Sequence, residues 1–434
     1  MQIIKKLLFL LTSSERKSAG LLLIMILIMA ILDMIGVASI LPFMAVLTNP
    51  SLIETNLILN NMFQISSKFG VENNQQFLFA LGVLVFLILI FSLTFKALTT
   101  YVQLRFTQMR EYSIGKHFVE GYLHQPYSWF LDRHSADLGK NILSEVGAIV
   151  GGGIKPLIDL ISKSIVTITL IILLILADPK LALIISISLS VVYAIIFFSI
   201  RSYLNLIGKK RLKNNELRFT SISEAFGALK EIKVGGLEQT YIKQFSDSAK
   251  ACAQTNASSA LISQLPRFFL EAIAFGGIML IILYMMTETG SFNNALPVIS
   301  LYVFAGYRLL PAIQQIYRSF TTLTFAGPAI DKLYDEKKNL KISNANYENF
   351  FLHLNDSITL NNIHYNYPNT SRTALKGINL NIPAKTTVGL VGPTGSGKTT
   401  LVDIILGLLE AQKGTLEIDG KIITQQNTRS WKKS

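Results

Sequence analysis

Six runs of apolar residues stand out along the chain: Gly20–Leu47, Phe77–Leu98, Leu157–Ala177, Leu181–Ile200, Phe268–Met286 and Pro297–Ile316. A bilayer core of about 30 Å takes roughly 20 residues of helix, so each run predicts a membrane span. The third and fourth are parted only by Asp178, Pro179 and Lys180, which predicts a tight hairpin. The connections 99–152 and 201–267 keep helical periodicity over most of their length, with few Pro or Gly. They predict membrane helices running well past the bilayer and closing in short turn-helices, with Tyr122–Asp137 and Ser221–Gly236 as the tips. The aromatic and charged mix of these tips suits docking on another domain, though solvated helix is the plainer reading. Residues 48–76 are polar and Asn-rich, with Leu57, Ile58, Leu59, Met62, Phe63 and Ile65 spaced for a short amphipathic helix at the outer surface. A structured loop fits that segment equally.

Hydrophobicity collapses over 331–350, which is expected to be a linker between a six-helix domain, 1–330, and a second domain, 351–434. There the period shortens to that of strands: Ser357–Ile363, Gly377–Ile382, Thr386–Val391 and Gly414–Ile418, the last followed by an Asp419–Gly420 turn.

Composition agrees with a membrane protein. Half of the 434 residues are hydrophobic and 15 % are charged, where soluble proteins carry about 25 %. The net charge of +13 would suggest nucleic acid in a soluble protein. Here basic loops retained on the cytoplasmic side explain it, and no nucleic-acid partner is expected. Lys and Arg number five in 99–152 and eleven in 201–267, against one in 48–76 and none in 287–296. The rich segments, the N-terminus and the second domain are therefore expected inside the cell. The N-terminal apolar run is too long for a cleaved signal and lacks a small-residue cleavage site. Cys252 is the single cysteine, so neither an intrachain disulfide nor a cysteine metal cluster is possible.

The chemistry concentrates in VGLVGPTGSGKTTL, Val388–Leu401. Gly392, Pro393, Thr394, Gly395, Ser396, Gly397, Lys398, Thr399 and Thr400 make a glycine-rich phosphate loop between a β-rich run and an apolar helix-like run through Leu409. Glycines let successive N–H groups curl around phosphate oxygens, and the helix points its positive end at them. Lys398 can reach the β- and γ-phosphates, and the Thr399 hydroxyl can hold Mg²⁺.

Six spans, long cytoplasmic extensions and a phosphate-loop domain resemble an ATP-binding cassette (ABC) exporter-type half-transporter. The resemblance covers essentially the whole chain. Ile363-His-Tyr-Asn-Tyr367-Pro resembles the family's A-loop, which implies that Tyr367 stacks on adenine. Gln125-Pro126 with Trp129-Phe130 resembles the first coupling helix. Pro266–Glu271 and Tyr307–Pro311 are similar to segments of bacterial flippases for lipid-linked oligosaccharides. The implied fold is a membrane α-helical domain followed by an α/β nucleotide-binding domain. ATP and Mg²⁺ are the implied cofactors, and a second half-transporter copy in a homodimer the implied partner. The implied location is the inner (cytoplasmic) membrane. The cargo is expected to be amphipathic, a lipid-linked glycan ahead of a peptide or drug.

The family's Q-loop, LSGGQ signature, Walker B strand with its catalytic Glu and switch His do not occur in these residues. No catalytic residue is assigned, and the chain is expected to be C-terminally incomplete and to bind ATP without hydrolysing it. Leu401, Ile404, Ile405 and Leu408 are then expected to face water. A non-hydrolysing scaffold or partner subunit, or an inactive gene product, are the alternatives. Within the spans, Asp33 and Arg308 lie deepest. Arg308, Lys96 and Arg267 form a candidate basic track for a phosphate-bearing headgroup, with snorkelling the other reading for Lys96 and Arg267 and an Arg267–Glu271 pair one turn apart. Gly147, Gly151, Gly152 and Gly153 suggest close helix packing.

Overall fold

The computed structural model describes residues 2–68, 70–133, 135–289, 292–340, 352–367, 373–424 and 426–433. Helices dominate as far as residue 339: α1 (Gln2–Leu10), α2 (Ser13–Ala38), α3 (Ile40–Thr48), α4 (Leu52–Thr55), α5 (Leu57–Ser67), α6 (Asn74–Leu123), α7 (Tyr127–Phe130) and α8 (Ser135–Lys140), then α9 (Val146–Ile149), α10 (Lys155–Ala177), α11 (Pro179–Gly227), α12 (Leu229–Gly235), α13 (Glu238–Thr289) and α14 (Phe292–Asn339). Strands β1 (Ser357–Asn366), β2 (Thr373–Pro383), β3 (Lys413–Ile418) and β4 (Lys421–Ile422) follow, with α15 (Lys398–Ile405) between β2 and β3 and α16 (Thr428–Lys432) after β4. Two compact units result: Met1–His117 with Gly139–Lys337, and Phe118–Leu138 with Lys338–Ser434.

Helix α6, at 50 residues, is about 75 Å long at 1.5 Å per residue. That is more than twice the hydrocarbon thickness, so it extends well beyond a bilayer. Among the described residues Ser13–Thr48, Asn74–Leu123, Ser135–Ala177 and Ser190–Gly227 are long and apolar enough to cross a membrane. The fifth and sixth expected spans fall on α13 and α14, where much of the side-chain detail from 269 to 298 is outside the described residues.

The first expected span is not one helix. It divides at Ser39 into α2 and α3, because Pro42 offers no N–H and its ring crowds the carbonyl four residues back. A capping box starts α2, with the Glu15 carboxylate accepting from the Thr12 N–H at 2.8 Å. The third–fourth hairpin is tighter than expected: α10 ends at Ala177 and α11 opens on Pro179, leaving Asp178 alone in extended conformation. The segment expected outside the membrane forms the short helix α5. Leu59, Met62 and Phe63 pack with Val46, Phe77 and Leu81, while Leu57 and Ile58 remain exposed.

Two π-helical turns, Asn141–Glu145 and Val150–Ile154, interrupt the approach to α10. The glycines there do allow close packing: a Cβ on Gly152 would lie 2.9 Å from that of Ala326. Fully buried Glu145 is paired with Arg211 at 2.9 Å and accepts from Asn215 at 2.6 Å. Buried Lys140 reaches Glu216 at 3.1 Å, and Lys332 meets the same carboxylate at 2.7 Å. Pairing of this kind is what makes buried charge tolerable.

The second unit holds the four-stranded antiparallel sheet, in order β2-β1-β3-β4. Its core joins Leu360, Ile363, Tyr365, Leu375, Leu416 and Ile418 to Leu401, Ile404 and Leu409. The expectation that α15 turns its apolar side chains to water is corrected here. Leu401 and Ile404 are buried against the antiparallel sheet, a gain of about 1.5–3 kcal/mol for each such side chain. Ile405 packs at the edge of that core and Leu408 is half-buried. The expected strand Thr386–Val391 is likewise not formed: among the described residues no strand pairs with it, and Val391 is 95 % exposed.

The Asp419–Gly420 turn joins β3 to β4 with positive φ at both residues, 48° and 76°, as a two-residue hairpin turn requires. Asp419 also accepts from the main-chain N–H groups of Asn355, Asp356 and Ser357 at 2.8–2.9 Å. Those bonds hold its carboxyl below the usual aspartate range. Of the expected linker, residues 331–339 continue α14 and 341–350 lie outside the described residues. The first tip groups with the sheet-bearing unit and the second with the helical unit.

Candidate functional site

The phosphate loop is set by backbone geometry. Gly395 and Gly397 take φ of 81° and 90°, the left-handed region that L side chains resist. Gly397 is constrained twice, since a Cβ there would lie 2.6 Å from the Ala374 carbonyl oxygen and 2.8 Å from Leu375 Cδ2. It is the N-cap of α15, so that helix directs its unsatisfied N–H groups into the loop.

Lys398 Nζ donates to the carbonyl oxygens of Gly392 at 2.7 Å and Pro393 at 2.9 Å, with Ser396 Oγ at 3.5 Å. The loop therefore carries an ammonium and a helix N-terminus at its mouth, with no carboxylate among its own residues. That donor set fits a polyphosphate. Thr399, at the same helix end, is exposed and offers one hydroxyl, which suits Mg²⁺ because that ion keeps most of its ligands as water and phosphate. Among the described residues no group of three His, Cys, Asp or Glu side chains is placed to hold a metal alone.

Tyr367, just past the end of β1, comes within 2.9 Å of the buried Thr400 hydroxyl. Its ring stands edge-on to Tyr365, centroids 5.3 Å apart at 89°. The A-loop resemblance gave no hint of this link. It ties the aromatic residue to the helix that ends the phosphate loop, 33 positions away. At the far end of that helix Trp431 Nε1 donates to the Ile405 carbonyl at 2.7 Å, satisfying one of its open acceptors.

The three membrane cations do not come together as one track. Arg308 on α14 and Lys96 on α6 converge on Asp33 of α2, which is 2 % exposed; Arg308 Nη1 hydrogen-bonds one carboxylate oxygen and Lys96 Nζ lies 3.6 Å from the other. Ser92 Oγ donates to Asp33 at 3.4 Å, and Lys163 of α10 feels the charges of Lys96, Asp159 and, more weakly, Asp33. Arg267 instead pairs with Glu271 at 2.7 Å on the exposed side of α13. Asp33 and Arg308 lie 275 positions apart, so the spans taken one at a time do not connect them. Lys163 and Ser92 gave no signal above an ordinary polar residue in an apolar run.

The model of the ABC transporter transmembrane region matches residues 39–307, well over half the chain, and the model of the ABC transporter domain matches residues 375–434. The ATP-dependent lipid A-core flippase of Cupriavidus pinatubonensis is 26 % identical over 308 residues, covering 69 % of this chain and 51 % of the relative. The sulfate/thiosulfate import ATP-binding protein CysA of Neisseria meningitidis is 45 % identical over 76 residues, 18 % of this chain and 21 % of the relative. A bacterial Atm1-family ABC exporter solved with ATP bound shares the fold, with TM-score 0.67 at 17 % identity, covering 96 % of this chain and 70 % of that one. The chain spans about half the length of the flippase relatives it matches.

Proposed function

The chain belongs to the ABC transporter family, and from that premise we propose that it is half of an ATP-driven exporter for an amphipathic, anionic cargo. The observation that carries the proposal is the phosphate loop on α15, with Lys398 and the N–H groups after Gly397 at its mouth. In this reading Gly392–Thr400 bind the ATP phosphates, Thr399 holds Mg²⁺, and Tyr367 takes the adenine. Residues 1–330 form the membrane domain, 331–350 the linker and 351–434 nucleotide-binding residues. Two copies close on ATP as a homodimer in the inner membrane, with the N-terminus and the loop in the cytoplasm.

For the cargo, a lipid-linked glycan is preferred. Lys96 and Arg308 share the single carboxylate of Asp33, and that excess of positive charge among apolar helices favours a substrate carrying phosphate. The flippases among the relatives point the same way. Arg267 is kept as a contact at the edge of the path. Hydrolysis is assigned to none of the residues described above.

The deciding experiment compares the chain with its Lys398→Ala variant in nanodiscs, measuring binding of a fluorescent ATP analogue and release of phosphate. Binding lost with Lys398 and no phosphate above the variant's level supports the assignment. Turnover above the variant's level defeats the non-hydrolysing assignment, and equal binding by both defeats the phosphate-loop assignment.

A further inference from the structure

Strand β1 outruns its neighbour β3. Their last register pair is His364 with Lys413, where β3 begins, and β1 continues to Asn366. Past that pair the ladder is carried on by Gln412. Its N–H donates to the His364 carbonyl at 2.9 Å. Its side chain then takes both main-chain groups of Asn366: Gln412 Oε1 accepts from the Asn366 N–H at 3.1 Å, and Gln412 Nε2 donates to the Asn366 carbonyl at 3.0 Å. A primary amide offers the same donor and acceptor as a peptide group, so this side chain stands in for a further strand residue.

The segment that carries Gln412 is fixed on both sides. Leu409 is buried in the sheet core and Ala411 packs against it. After Gln412, a Cβ on Gly414 would collide with the carbonyl oxygens of Asn361 and Asn362, so the two backbones lie in contact there. Gln412 is exposed, yet its amide is held in place by its neighbours in the chain.

The gripped peptide leads directly into the candidate base-binding ring. The Asn366 carbonyl and the Tyr367 N–H belong to one planar unit. Holding that carbonyl sets the plane from which Tyr367 leaves the strand. Buried Tyr365 stands edge-on to the same ring, and Thr400 takes its hydroxyl. Tyr367 is thus fastened at main chain, ring and hydroxyl, while the residue stays only half-buried. A ring ordered in advance loses less freedom when a base settles on it.

We propose that Gln412 is a positioning residue for base recognition, which presets Tyr367 for the adenine ring without touching the nucleotide itself. The proposal rests on the assignment of Tyr367 to adenine and adds the group that sets the ring.

The test titrates ATP and inorganic triphosphate by calorimetry into the full chain in nanodiscs. Gln412→Ala should weaken ATP binding about two- to tenfold, the scale of ordering one side chain on binding, and leave triphosphate binding unchanged. Gln412→Ala combined with Tyr367→Ala should bind ATP as Tyr367→Ala does alone, because a residue acting through the ring then has nothing to act on. Losses that multiply in the double variant overturn the proposal, since a simple staple of β1 would add its effect to that of the ring. Weaker triphosphate binding in Gln412→Ala also overturns it, by moving the effect to the phosphate loop or the fold. If Tyr367→Ala weakens ATP binding and Gln412→Ala does not, the proposal fails and the adenine assignment stands. If Tyr367→Ala binds ATP as the parent chain does, the adenine assignment fails and takes the proposal with it.

Discussion

The phosphate loop and the Asp33 cluster both centre on cations, but they are assembled by opposite means. Gly392 to Thr400 are consecutive, and Lys398 is held by carbonyl oxygens five and six residues back in its own loop. Asp33, Lys96 and Arg308 come from three helices, and one carboxylate serves two cations in a setting where Asp33 is almost wholly buried. Local backbone geometry makes the first site, so losing a side chain there should remove binding and leave the fold. Tertiary packing makes the second, so the same kind of loss should be felt as stability.

The sharpest way to break that contrast is Asp33→Ala. It strands Arg308 and Lys96, and removing one partner of a buried pair costs about 3–5 kcal/mol. Thermal unfolding in detergent should show a large fall, relieved in part by adding Arg308→Met. Next in size is Lys398→Ala, which removes a charge-assisted contact to phosphate of about 1.5–3 kcal/mol. Titration with an ATP analogue should show binding weakened by about 10- to 100-fold, with the unfolding temperature unmoved. If Lys398→Ala unfolds the protein while Asp33→Ala only weakens nucleotide binding, the distinction is wrong.

Tyr367→Phe keeps the ring and deletes the bond to Thr400, worth about 1 kcal/mol. Affinity for the analogue should fall about fivefold, whereas Tyr367→Ala should cost more if the ring itself meets the base. The smallest effect expected is at Asp419. Three main-chain donors hold its carboxyl below the usual value of about 3.9. The stabilisation is present above that unfolded-chain value and is lost as pH falls through the lower folded one. Asp419→Asn should therefore flatten the loss of protection in residues 355–357 below about pH 4, read by amide exchange.

The contrast also explains what could be read before any coordinates. The loop was legible because its chemistry is contiguous: glycines, Lys398 and Thr399 at fixed spacing leave little to tertiary structure. The helical spans were legible because hydrocarbon demands apolar length. What escaped depends on partners distant in sequence. The run 386–391 has strand composition, yet a strand exists only with a neighbour to pair with, and none of the described strands is beside it. Leu401 and Ile404 found the antiparallel sheet as their cover, which spacing along α15 does not reveal. The Asp33 convergence needed three helices set side by side. The π-helical turns at 141–145 and 150–154 left no trace in hydrophobic periodicity, because one extra residue per turn shifts a pattern already blurred by four glycines.

The indole of Trp431, bonded to the end of the phosphate-loop helix, has a spectroscopic consequence. The chain has two tryptophans. The other, Trp129, lies in the first tip with the Arg133 guanidinium 4.0 Å from its ring centroid. Both belong to the sheet-bearing unit, and the helical unit has none. Ultraviolet emission excited at the red edge is therefore a native optical channel for the sheet-bearing unit. Trp129→Phe would reduce that channel to a single emitter sitting on the carbonyl of Ile405.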